Sequence, residues 1–259
     1  MINYKQKAKN YHTAVSEYDV PTIEEMVTES YIQHNPKVPT GRAAFVSLIP
    51  KLASFGSKIK NIRMLNDGQH VIMHHQWDNA TPFGFDTTAA FHIIRFNEQG
   101  FIAEHWNVMT ALGAPNTSGR NLIDGETTID DLDKTLQNKT KIRELGHLLC
   151  TQKNTVIGAE LPRFFHAELQ QHSPNFGDGL TALQTVIGSE EIFPSYHKQH
   201  AIFGEGNFVL SVSEGTYKQS PTAIYDLFRL RNERIEEHWS IYQEIPSEGL
   251  ANDNTMFNF

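Results

Sequence analysis

FHIIRFNEQGFIAEHWNVM, Phe91–Met109, is two runs rich in apolar and aromatic residues around the turn residues Asn97–Gly100. Two such runs separated by turn residues read as the strands of a β-hairpin. YDLFRLRNERIEEHWSIY, Tyr225–Tyr242, repeats the pattern, with Glu-His-Trp again on the second strand. Arg95 and Arg229 match at an offset of 134 residues, His105 and His238 at 133. Upstream, YIQHNPKVPTG (Tyr31–Gly41) matches LQQHSPNFGDG (Leu169–Gly179) at an offset of 138. Both contain Gln-His-x-Pro followed by a glycine. An offset that drifts by a few residues between matched blocks is what loop-length changes within two copies of one fold produce. The chain is therefore read as a tandem repeat.

Each copy has the same order. Helix-period segments come first: Tyr4–Tyr18 and Thr22–Ile32 in the first copy, Leu132–Leu149 and Glu160–Leu169 in the second. The Gln-His-x-Pro turn follows, then another helical stretch (Gly41–Ser54; Gly179–Gly188) and then strands. These strands are Gln69–Trp77, Thr87–Phe96 and Gly100–Met109, then Gln199–Tyr217, Thr222–Leu230 and Arg234–Tyr242. Helices followed by antiparallel strands define an α+β class. A curved sheet wrapped on helices leaves a pocket between them. Domain 1 is expected over 1–113 and a Gly-, Asn- and Thr-rich linker over 114–133. Domain 2 with a C-terminal tail then fills 134–259.

The 259 residues, 39% hydrophobic, are enough for two cores. A net charge of −8 without a Lys/Arg run argues against nucleic acid. The N-terminus lacks a secretory apolar region and no segment is long enough to span a bilayer, so a cytoplasmic location and no membrane partner are expected. One cysteine, Cys150, excludes an intrachain disulfide and reads as core packing. The sequons at Asn116 and Asn138 read as accidental.

On the strand around Glu237-His238-Trp239-Ser240, alternation puts His238 and Ser240 on one face, Glu237 and Trp239 on the other; His105 and Asn107 pair likewise. The partner strand contributes His92 in the first copy and Asp226 in the second. Whether Asp226 faces Ser240 or backs onto it depends on a one-residue register. The histidine pairs His34/His105 and His172/His238 either line pockets or cap and brace the fold. His74 and His75 are adjacent on a strand and point to opposite faces, so they do not ligate one ion together, and no metal is expected. The pair His197 and His200 is read the same way.

YIQHNPKVPTG, DLFRL, EEHWSIYQEIP and the closing ANDNTMF together resemble the SnoaL-like polyketide cyclases of the nuclear transport factor 2-like superfamily. The resemblance implies two cone-shaped α+β domains that pair as an intrachain pseudo-dimer, with further homodimerisation open. It also implies cofactor-independent aldol-type chemistry on a small, partly apolar carbonyl compound. In the family an acid/base Asp follows the Trp of Glu-His-Trp; here that position is Asn107 or Ser240. By the resemblance, Asp226, or His92 in the first copy, is the proton acceptor, and the second copy is the stronger candidate. His172, His238, His34 and His105 polarise the carbonyl or orient the base. Asn107, Ser240, Gln33, Gln171 and Tyr225 contact substrate. A non-catalytic ligand-binding or protein-interaction module, and an isomerase or dehydratase, are the alternatives on the same fold.

Overall fold

The computed structural model describes residues 2–259. The described residues divide into two units: residues 2–111 with 246–258, and residues 112–245 with Phe259.

The first unit opens with α1 (Tyr4–Glu17) and α2 (Val20–Met26). Asn3 caps α1 by accepting from the Gln6 N–H, and Tyr18 ends it in the left-handed conformation. Ala8, Tyr11, His12 and Val15 make its buried face at helical spacing. Then come β1 (Val27–Gln33), α3 (Arg42–Val46), α4 (Ile49–Phe55), β2 (Lys58–Asp67), β3 (His70–Asp78), β4 (Thr87–Phe96) and β5 (Ile102–Ala111). The sheet order is β1-β5-β4-β3-β2, with β1 parallel to β5 and the other pairs antiparallel. Val71, Met73, Trp77, Ala90, Ile94 and Met109 face the helices and bury against Tyr11, Val15, Ile23 and Leu52.

The second unit repeats this with α5 (Thr135–Thr151), α6 (Asn154–Glu160), β6 (Phe165–Gln171), α7 (Leu180–Val186), β7 (Ser195–Glu205), β8 (Phe208–Tyr217), β9 (Ser220–Arg231) and β10 (Arg234–Glu244). Its sheet order, β6-β10-β9-β8-β7, is the same topology. Both hairpins of the opening comparison form. Asn232 and Glu233 (φ 50° and 64°) make the two-residue turn between β9 and β10 that the right-handed strand twist favours.

Two differences from the sequence reading concern elements. The helix expected over Thr22–Ile32 ends at Met26, that expected over Glu160–Leu169 amounts to the last residue of α6 and one 3-10 turn, and their second halves are the strands β1 and β6. Strand β2 had no counterpart in that reading. A third concerns the division of the chain. Residues 114–133, expected as a linker, belong to the second unit, and the tail 246–258 to the first. Both segments are held by amide side chains rather than by periodic apolar faces. Asn116 donates to the carbonyls of Gln171, Ser173 and Phe176, and Asn252 to those of Asn35 and Val38.

Cys150 is half-buried against the second core, and burial raises its thiol pKa. Among the described residues no helix is long and apolar enough to cross a membrane.

Candidate functional site

The register left open by the sequence is settled by direct pairing: His92 lies opposite Asn107, and Asp226 opposite Ser240. These side chains therefore share the helix-facing side of their sheets with His105 and His238. Gln33 and Gln171 join them, within 3.1 Å and 2.9 Å of the Nδ1 atoms of His105 and His238.

His34 and His172 lie elsewhere. Each stacks on the Trp of Glu-His-Trp, with ring centroids 4.6 Å and 4.5 Å apart. Each also pairs through Nε2 with the neighbouring glutamate, Glu104 at 2.8 Å and Glu237 at 3.1 Å. Glu104 and Trp106 alternate away from His105 and Asn107, so these two histidines brace the opposite face of the sheet and do not line a pocket. Arg95 and Arg229 complete the braces at Glu104 and Glu237. Burial alone would raise the carboxyl pKa of Glu237, but the His172 hydrogen bond and Arg229 outweigh it and bring it down to about 2. Tyr225, adjacent to Asp226, points to the other face with its hydroxyl buried and unpartnered.

In the second unit Asp226 is saturated. Tyr196 donates to Oδ2 at 3.0 Å, and His238 Nε2 and Ser240 Oγ reach Oδ1 at 2.9 Å and 2.5 Å. Asp226 is 1% exposed. Burial first, and then the charge of Asp226, holds the Tyr196 phenol in its neutral, donating form.

The first unit differs at the same register positions. A cavity of about 30 Å³ is walled by Tyr11, Val15, Phe45, Leu52, Trp77 and Met109, and His12, Gln33, Asn35, His92, His105 and Asn107 supply its polar lining. Asn107 Oδ1 accepts from Asn35, leaving Nδ2 as a donor. His105 Nε2 lies 3.0 Å from His92 Nδ1. His75 on β3 and His12 on α1 complete a cluster, with ring centroids 4.2 Å from His75 to His92 and 5.1 Å from His12 to His75. Nε2 of His12, Nε2 of His92 and both nitrogens of His75 are buried without a hydrogen-bond partner. Each such atom costs about 1–3 kcal/mol. Burial, reinforced by neighbouring imidazoles at His75, His92 and His105, favours the neutral rings. It lowers His12 to about 4 and His105 to about 3, with His75 and His92 well below the usual value.

His74 does point away from His75, to Arg63. What the sequence reading missed is His75's long-range partners, His92 one strand over and His12 on the helix. One signal was available: His12 is a polar residue within the apolar stripe of α1, four residues after Ala8.

Two α+β units of one topology, each with a polar group at the same place on its sheet, define a tandem repeat of one α+β fold. Residues 8–105 match the family model of the SnoaL-like domain, so this stretch of the first unit is SnoaL-like, and the second unit repeats its topology. No curated protein matches the chain. Solved structures similar to it include TsrD from Streptomyces laurentii, at 18% identity over 40% of this chain and 85% of that one (TM-score 0.35). An NTF2-like protein of unknown function from Cytophaga hutchinsonii is 15% identical over 42% and 92% (TM-score 0.37). IdmH from Streptomyces antibioticus, a proposed polyketide cyclase, is 14% identical over 42% and 92% (TM-score 0.36).

Proposed function

We propose that the first unit binds a small, partly apolar carbonyl compound in its cavity and removes a proton from the carbon beside the carbonyl. The proton passes to His92 Nε2, and the C–H electron pair moves into the enolate, whose oxygen accepts from Asn107 Nδ2. The observation that carries this reading is a buried imidazole nitrogen without a partner, beside a cavity that Asn107 also lines. Asp226 was the stronger candidate from sequence, but both its oxygens are engaged and it serves the second unit as a buried hydrogen-bonding post. About 30 Å³ holds little more than a water, so substrate entry needs wall residues such as Leu48 and Phe83 to swing outward.

The test is solvent deuterium exchange into a panel of β-keto compounds. Wild type and Asp226→Asn are expected to exchange alike, and His92→Gln to lose about 10²-fold or more. No exchange by wild type would sink the catalytic reading. It would favour a non-catalytic binding module, which the replacement of the family's Asp by Asn107 and Ser240 also supports. An isomerase or dehydratase would use the same base and pocket.

A further inference from the structure

We propose that His12, His75 and His92 form a binding site for a divalent first-row transition ion of the zinc type. The three come from α1, β3 and β4, and one ligand nitrogen from each lies within 4.8 Å of the others. None of the candidate nitrogens has another partner.

At His12 and His92, though not at His75, a flanking hydrogen bond matches what a metal-bound histidine needs, which is an acceptor for its second N–H. His12 Nδ1 donates to Asn61 Oδ1 at 2.9 Å, directing its lone pair to Nε2. At His92 the metal-binding tautomer would be a relay, in which His105 Nδ1 donates to Gln33 Oε1 (3.2 Å) in place of accepting from Gln33 Nε2 (3.1 Å), and His92 Nδ1 donates to His105 Nε2. That leaves the His92 lone pair on Nε2. An all-imidazole set suits zinc, copper or nickel over magnesium or calcium. Ligand nitrogens of a tetrahedral zinc at about 2.0–2.1 Å lie about 3.4 Å apart, so ring rotations of roughly an ångström would close the set. His12 and His92 also line the cavity, which leaves a further position for water or a carbonyl oxygen, the arrangement of three-ligand catalytic sites.

The second unit shows that the fold does not need this cluster. Register places Ser213 at the position of His75 and Asp226 at that of His92. Gln199, at the position of Asn61, fills the space over Gly146 of α5 and donates to Ser211. There Asp226 and Gln199 both have hydrogen-bond partners.

The inference goes beyond the pocket reading but shares one atom with it. A bound ion would take His92 Nε2 and offer a Lewis acid where the stripped protein offers a base. The test is cobalt(II) uptake by the chelator-stripped full chain, read by visible absorption and by thermal stabilisation. We expect one equivalent per chain, and at least about 100-fold weaker binding by His75→Leu and by His12→Phe. His200→Asn in the second unit should bind as wild type. His75→Leu removes two unsatisfied nitrogens at near-constant volume and is expected to fold, with His12→Phe as the second probe. No stoichiometric uptake by wild type, or wild-type uptake by a folded His75→Leu, would overturn the site. The readout needs no turnover, so its failure and a failure of deuterium exchange are separate results.

Discussion

At one register position on matching strands the chain places His92 in one unit and Asp226 in the other, and the surroundings decide what each does. Asp226 has three donors and no access, whereas His92 Nε2 has no hydrogen-bond partner and lies beside a cavity. Asn107→Asp would return a carboxylate to the place the family resemblance gives its base. We expect that variant to speed deuterium exchange into β-keto compounds. Ser240→Asp should do the reverse of useful, since it sets a second carboxylate against Asp226 Oδ1 and should lower the melting temperature. Glu237 gives a pH prediction. Its folded pKa, about 2, is below the ordinary 4.5, so the stabilisation is complete above 4.5 and drains away as pH falls toward 2. Glu237→Gln should therefore cost on the order of 3 kcal/mol at pH 7, in chemical denaturation, and almost nothing near pH 2.

Elements were legible where strand-type composition meets turn residues. Thr87–Phe96 and Arg234–Tyr242 are short runs rich in β-branched and aromatic residues next to turn residues, and those strands form over those residues or a few more. Val27–Gln33 and Phe165–Gln171 share a different pattern, with burial at their first, fifth and seventh residues. Their spacing of four imitates a helix turn, which explains the misreading. Each pairs with its neighbour through a break in register, so alternation is lost where it would have been read. The glycine after the Gln-His-x-Pro turn was legible for a physical reason. Gly41 and Gly179 have φ of 94° and 95° with ψ of 146° and 143°, a region closed to other residues. A Cβ at Gly41 would meet nothing within 4 Å, so Gly41→Ala isolates the backbone term. It should destabilise by about 1–3 kcal/mol in urea unfolding.

For the whole molecule, the division of the chain matters most. The tail belongs to the first unit: Trp106 Nε1 donates to the Asn258 carbonyl, His34 Nδ1 bonds the Thr255 carbonyl, and Met256 and Phe257 are buried. Truncation after Ile245 should lower the melting temperature of the first unit and abolish cobalt uptake and ligand binding there, while the second unit keeps its own transition, as calorimetry would resolve. The sequence by itself determined the duplication, the α+β class, the hairpins and the shared face of His105 with Asn107, because these follow from short-range periodicity and from comparing the two copies. Only the tertiary structure decided which face His34 takes, that Asp226 is saturated, and which unit owns each tail. It alone brought His12, His75 and His92 together, residues far apart in the chain and in no common motif. Their meeting depends on strand register and on how a helix packs over a sheet, and neither is written in any local run of residues.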